Sequence, residues 1–361
     1  MKSEKMKNMR YIRFILLMIC AVLLSGAATS CKNDGEKDGK KPPVHKKRHS
    51  KSILTPTSSG NPYEVMVVCS DSSFAGYVGQ ALKEVLNRPI PMLPQDEPSF
   101  HVSHVTEKHY DRITKLFRNI VKIEVNKHYS EPRIKLERNV YSDPQLIMTI
   151  IGPTENEIST FITEKTNFII KYFSAEEINR QATALEDSHN IKFNEKVYEM
   201  FDCELYIPVD LNKMKVGENF IWASDDGMSS IQNICIYSYP YVSQKVFNRG
   251  VYIALRDSFM GANIPGELEG SVMSTNRDFV TVENMQIQGH YVQEARGFWE
   301  MTKDVMGGPF VAHSQVDTIN NRVIVVEGFV YAPDKMKRTM MRRLEAALYT
   351  LKLPGKDESE E

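Results

Sequence analysis

Residues 9–31, MRYIRFILLMICAVLLSGAATSC, decide in which compartment this chain folds, and so which part of it can fold at all. Lys2, Lys5, Lys7, Arg10 and Arg13 precede an unbroken apolar run at 14–24. Its length, about eleven residues, lies within the roughly 7–15 of a secretory signal core. Residues 25–30 are all small, and Cys31 follows. An uncleaved anchor competes with this reading, but 12–28 is only about 17 residues, the bottom of the spanning range. Met1, Met6 and Met9 all stand as candidate starts. The expectation is a signal peptide at 1–30 and a body that folds after export.

Small residues running into a Cys resemble the bacterial lipobox, where the thiol takes a diacylglycerol and the Cys becomes the new N-terminus. Ala28 departs from the usual Leu or Val, whereas Thr29 and Ser30 fit. The likeness implies lipidation of Cys31, with palmitate-type chains, and anchorage in the cell envelope, foremost the outer membrane, its periplasmic and surface faces both open. Gly26-Ala27-Ala28 would also serve an ordinary signal peptidase. The order of readings is lipoprotein, soluble secreted protein, uncleaved anchor.

The chain has 45 basic and 46 acidic residues; the leader carries five of the former and, at Glu4, one of the latter. That leaves 40 against 45, a net charge of −5, which argues against a nucleic-acid partner, since such binders need a basic footprint. Nothing after Cys31 is long and apolar enough to span a bilayer. Cys69, Cys203 and Cys235 each sit in an apolar run, which reads as buried free thiols. Export also permits a disulfide, and spacing cannot choose a pair.

Residues 31–60, rich in Lys, Gly, Pro and Ser, read as a disordered tether that cannot bury enough to fold. Its coil length would be about 30 Å. Folded structure is expected over 61–355, with halves at 61–190 and 191–355 and an acidic tail at 356–361. Strands are expected at 63–69, 100–105, 120–125 and 146–151, with a helix at 77–86 that Pro89 stops. Residues 111–117 read as a short helix. Thr154 with Glu157 forms a capping box, and Ser174 with Glu177 repeats it. In the second half, 203–207 reads as a strand. Hairpins are expected around Asp225-Asp226-Gly227 and Asn320-Asn321, and 266–308 as several short strands. Asp334 reads as the N-cap of a last helix with Met336, Met340, Leu344, Ala347, Leu348 and Leu351 on one face. Strand, Pro, capped helix occurs at 146–173 and again at 323–351. The fold class is α+β, with mixed or antiparallel sheets and helices on one face; that echo would make two related halves.

Few constellations carry chemistry. His101, His104 and His109 are dense, but an odd separation puts His101 and His104 on opposite strand faces. A structural metal site needs about four convergent ligands, so neither metal nor cofactor is expected. Ser72-Ser73 with Gly76 and Gly79 could seat a phosphate at a helix start, yet lacks a phosphate loop's Lys and glycine cluster. Arg296, Trp299 and Phe310, set near Gly297 and Gly307-Gly308, suit a recognition patch; two tight turns around a buried Trp are the plainer reading. Glu294, Glu300 and Asp304 offer the carboxylates of a hydrolase. Lys335, Lys337, Arg338, Arg342 and Arg343 would give the last helix a basic face, ordinarily its solvated side.

Taken together, the leader with Cys31, Pro62-Tyr63-Glu64-Val65, Arg138-Asn139-Val140 with Pro144-Gln145, Arg296-Gly297-Phe298-Trp299, Gly307-Gly308-Pro309-Phe310 and Tyr331-Ala332-Pro333 resemble an uncharacterised lipoprotein family of Bacteroidetes-type bacteria, domain of unknown function 4837. The resemblance spans about 61–353 and implies a single envelope domain. It implies no activity and carries over no catalytic residue. The expected function is a non-enzymatic binding or assembly module, held to the membrane by lipid, with an envelope protein or glycan as partner. The alternative is an envelope hydrolase using carboxylates near Glu294 and Asp304.

Overall fold

The apolar run after Pro62 forms strand β1 (Glu64–Val68) in a computed structural model that describes residues 55–225 and 227–355. The leader, Cys31 and the acidic tail lie outside the described residues. Helix α1 (Asp71–Ala75), capped by Ser70, and helix α2 (Tyr77–Leu86) follow. Strands β2 (His101–Val105), β3 (Asn119–Val125), β4 (Arg133–Arg138) and β5 (Leu146–Gly152) complete a five-stranded sheet ordered β2-β1-β3-β5-β4. Its first four members run parallel, and β4 is an antiparallel edge. Sequence pattern passes over β4 because only Ile134 and Leu136 in it are apolar. Residues 111–117 hold only a single 3-10 turn, Thr114–Leu116, in place of the expected helix.

The capping box at Thr154 forms: Glu157 N–H donates to Thr154 Oγ1 at 3.3 Å, opening helix α3 (Glu155–Glu164). The break expected at Ser174 is absent, and helix α4 (Thr166–Asp187) runs straight through it. Glu177 is not a capping residue. It is fully buried and accepts from Arg118 at 2.9 and 2.8 Å, Asn119 at 2.7 Å and Arg180 at 2.6 Å, a tertiary ion cluster that outweighs the local capping preference. Helices α2, α3 and α4 cover the sheet face made by Val65, Val67, Val121, Met148 and Ile150. The opposite face, with Met66, Val68, Ile120 and Ile147, is covered by Tyr110 and Phe117. Residues 55–60 are not loose tether: Ser59 N–H donates to Leu116 O at 2.8 Å, and Ser59 O accepts from Arg118 N–H at 2.9 Å.

The second half opens with helix α5 (Ile191–Phe201). Strands β6 (Lys213–Gly217), β7 (Phe220–Ser224) and β8 (Ile231–Pro240), helix α6 (Arg249–Asn263), strands β9 (Met273–Ile287), β10 (His290–Met301), β11 (Gly307–Asp317) and β12 (Arg322–Tyr331), and helix α7 (Arg338–Leu348) follow. The strands form one antiparallel sheet of seven, ordered β6-β7-β8-β12-β11-β10-β9. Residues 203–207 make only a bridge from Glu204 to Lys352, and 266–308 forms two long strands where several short ones were expected. Helices on one face describes the first sheet only. The second is covered on both faces, by α5 and α7 on one and α6 on the other, because its inward and outward residues are both apolar.

The echo of strand, Pro and helix is present in β5–α3 and β12–α7, but one unit closes a parallel sheet and the other an antiparallel one. The halves are therefore not copies. They meet along α4 and α7. Asp334, expected to cap α7, lies at φ 58°, and Lys337 holds the N-cap position without a side-chain bond. Glu97 of the first half caps α7 instead, accepting from Lys337 N–H at 2.6 Å and Arg338 N–H at 3.0 Å. The expected basic face is partly core: Lys337 and Arg342 are buried, and Arg342 stacks on Tyr63 at 5.1 Å. Met336, expected in the apolar stripe, is 65% exposed. Gly328 lets α7 approach the sheet, since a Cβ there would stand 2.8 Å from Leu344 Cβ.

Candidate functional site

The expected recognition patch is interior. Trp299 is 2% exposed and Phe310 1%. Trp299 packs edge-on to Phe329 at 5.9 Å and donates its indole N–H to Val330 O at 3.3 Å. Gly308 makes room for this reach, because a Cβ there would lie 3.1 Å from the indole nitrogen and 2.0 Å from Val330 O. Phe310 lies under the Arg256 guanidinium at 3.9 Å. A cavity beside Arg296, Arg342 and Glu345 holds about 10 Å³, no more than one water's worth. A partner therefore cannot reach Trp299 or Phe310 without unfolding their surroundings, whereas the Arg296 side chain keeps 18% of its surface exposed.

Arg296 serves a different purpose. Its guanidinium makes a two-pronged bond to Glu294, at 2.7 and 2.8 Å, and bonds Glu345 of α7. His313 faces Glu294 at 3.4 Å, and Arg342 donates to Glu345 at 3.2 Å. The cluster ties β10 and β11 to α7. Burial works against charge on Glu294, but Arg296 and His313 outweigh it and hold the carboxyl well below its ordinary value. At Glu345 burial is likewise outweighed, by Arg296 and Arg342. Both carboxyls are depressed on folding, so their stabilisation is full above the ordinary 4.5 and is lost as pH falls through their folded values. The urea midpoint should accordingly begin to drop near pH 4.5 and keep dropping below about pH 3, with a shallower drop in Glu294→Gln. Equal profiles for the two proteins would show that the cluster contributes nothing to acid sensitivity.

Of the carboxylates offered for hydrolysis, Glu294 and Glu300 do not converge. Glu294 and Glu300 lie six residues apart on β10, about 20 Å along a strand, whereas glycosidase pairs stand about 5–10 Å apart. Glu300 accepts from Asn276 at 3.0 Å, and Asp304 lies in the turn after β10. The three histidines also part ways. His101 accepts from Arg338 at 2.7 Å, His104 bonds Cys69 O at 3.0 Å, and His109 bonds Thr106 at 2.9 Å. Ser73 donates to Glu155, which places a carboxylate where an anion would have to bind. Cys69, Cys203 and Cys235 are buried free thiols; burial pushes Cys69 and Cys203 up to about 12.

An open concavity lies elsewhere, at the N-terminal end of α6. It holds about 820 Å³ between the turn Gln244–Phe247 and the edge of the seven-stranded sheet. Tyr241, Phe247 and Tyr291 line it with Gln244, Lys245, Asn248, Val251, Asn284 and Val316. The Phe247 and Tyr291 rings meet edge to face at 5.1 Å, and Tyr241 lies 6.3 Å from Phe247. Tyr291 donates its hydroxyl to Asn284 Oδ1 at 2.7 Å. Asn248 caps α6 through Gly250 N–H at 3.0 Å. Sequence reasoning did not find this site, because its residues come from β9, β10, β11 and the segment before α6. The available signal was a pair of aromatics, Tyr241 and Phe247, flanking the polar run Ser243-Gln244-Lys245.

Residues 190–350 match the family profile described as domain of unknown function (DUF4837). The second half is similar to this family. The resemblance expected over 61–353 is thus narrower, for residues 58–186 match a separate profile, domain of unknown function (DUF8532). The DUF4837 region contains the aromatic groove, the Arg296 cluster and α7 in full; the other contains the parallel sheet. A crystal structure of a protein from Bacteroides thetaiotaomicron VPI-5482 aligns at 13% identity over 43% of this chain, with a TM-score of 0.20. This chain spans 46% of that protein's length, and the likeness carries no argument. No protein of curated function matches the sequence.

Proposed function

We propose that this protein is a cell-envelope lipoprotein, anchored through Cys31 to the outer membrane, whose body is a non-enzymatic binding module. The groove beside α6 is its recognition surface. The observation that carries the binding reading is an open, preformed concavity of about 820 Å³ walled by three aromatic rings and by amides. Rigid aromatics beside adaptable polar groups are what recognition sites use. The leader supports the anchoring, and the tether lets the body stand off the membrane.

Two measurements test this. Wild-type protein should fractionate with membrane and carry an acylated N-terminal Cys31 by intact mass, since each buried acyl CH₂ contributes about 0.8 kcal/mol. Cys31→Ser should release the protein or leave it uncleaved; a mature N-terminus at Thr29 without lipid would remove the anchor. Tyr291 is 43% exposed, so Tyr291→Ala should fold normally and weaken saturable binding to purified envelope fragments about tenfold. Unchanged binding, or turnover of an envelope glycan or peptide by the purified protein, would count against the module.

A further inference from the structure

The groove meets solvent with a surplus of hydrogen-bond donors and no acid of its own. Asn248 Oδ1 already accepts from Gly250 N–H, and Asn284 Oδ1 from the Tyr291 hydroxyl, while neither amide nitrogen has a partner among the described residues. Lys245, exposed on the groove wall, adds an ammonium that has no ion-pair or hydrogen-bond partner among the described residues. Arg249, at the start of α6, donates to the main-chain oxygens of Val280 at 3.3 Å and Arg277 at 2.5 Å, and likewise meets no carboxylate among the described residues. Over 241–251, 284–293 and 316–323, the stretches that frame the groove, the only carboxylate is Asp317. It is 1% exposed and bound to Arg322 at 2.9 Å and Asn320 at 2.8 Å. A chain whose acids outnumber its bases thus turns a locally basic, donor-rich wall toward this concavity.

The concavity runs across the strands: Asn284 stands on β9, Tyr291 on β10, Val316 on β11 and Tyr241 just past β8. In the order β8-β12-β11-β10-β9 that is four strand spacings, about 19 Å, the reach of about six extended residues. Resting on the groove as recognition surface, we infer that its ligand is an acidic peptide segment, extended across the strands, with a carboxylate against Lys245 and an adjacent apolar side chain among Tyr241, Phe247 and Tyr291. A carboxylate only accepts, which matches a wall that mostly donates. The rings, with Val251 and Val316 beside them, suit an aliphatic or aromatic side chain. An acidic glycan also brings carboxylates, but each sugar adds hydroxyl donors. Gln244 Oε1 is the one side-chain carbonyl on the wall not already bonded among the described residues. Opposite charge draws the peptide in, and that attraction weakens with salt.

The test uses the full chain in neutral detergent, read by calorimetry at low and physiological salt. The probes are capped octapeptides alternating Glu with Phe or Val, the same with Lys for Glu, the same with Ser at the apolar positions, and hexagalacturonate. The expected result is saturable binding of the Glu–apolar peptide that weakens with salt, with the Lys and Ser versions at least about tenfold weaker. Lys245→Gln removes an exposed charge that makes no protein bond. It should therefore leave the melting temperature unchanged, weaken the Glu–apolar peptide about threefold and flatten its salt dependence. Tyr291→Ala should weaken the same peptide about tenfold. Equal binding of the Glu and Lys peptides, or indifference to Lys245→Gln, would overturn the acidic ligand. Hexagalacturonate bound alone, and lost in Lys245→Gln, would overturn the peptide and leave the groove as a recognition surface. No probe bound, with envelope fragments captured by wild type and lost in Tyr291→Ala, would overturn the acidic peptide alone. Capture equal in those two proteins would sink the groove reading as well.

Discussion

Trp299→Ala should lower the free energy of unfolding by about 3–5 kcal/mol, the usual cost of deleting a large buried aromatic. The indole is enclosed by Phe329 and Tyr331, and its N–H is bonded to Val330 O. Truncation therefore leaves both a cavity and an unpaired carbonyl. Trp299→Phe should recover part of the loss, since it refills volume but not the hydrogen bond. Urea unfolding followed by far-UV circular dichroism reads both variants. An unchanged midpoint together with loss of envelope binding would restore the surface role that residue types alone suggested for Arg296, Trp299 and Phe310.

Glu327→Leu should cost a similar 3–5 kcal/mol, for an electrostatic reason. Arg256 and Glu327 are both fully buried, on α6 and β12, and Arg256 donates to the carboxylate at 2.9 and 2.6 Å. A third nitrogen donates to Thr275 Oγ1 at 2.8 Å, and the guanidinium lies flat over Phe310. Removing the carboxylate leaves a buried cation among Tyr237, Tyr252 and Phe310 with only Asp257, 3.9 Å away, as an acidic neighbour. Replacing both partners removes the stranded charge, so Arg256→Met with Glu327→Leu should be markedly more stable than Glu327→Leu alone. If the double variant is as unstable as the single, the loss is one of packing and the unpaired cation is not its cause.

Local patterns placed much of the scaffold. The β1 run, the α2 stripe, the Thr154 capping box and the two late hairpins depend on nearest neighbours, and they form where those neighbours indicate. The failures share one cause. Ser174 with Glu177 and Asp334 with the last helix are sound local capping signals, yet Glu177 is drawn into an ion cluster by Arg118 and Arg180. The end of α7 is capped by Glu97, more than two hundred residues away in sequence. A charged side chain with a tertiary partner gains more from that bond than from a cap, and sequence spacing does not encode which partner arrives.

The candidate site divides in the same way. Arg296, Trp299 and Phe310 drew attention as residue types that recognise partners, and residue type cannot say which side of a strand faces water. The seven-stranded sheet is covered by helices on both faces, so its central strands have no wet side, and those three side chains became core and tie. The groove is assembled from single residues of separate strands at the sheet's edge, brought together only by the antiparallel register of β9, β10 and β11. By itself, the sequence determined an α+β body and its strand and helix runs, because those follow from local composition and periodicity. Which polar groups pair, which aromatics reach solvent and where a ligand can enter were decided by tertiary packing, because each depends on what lies across the sheet.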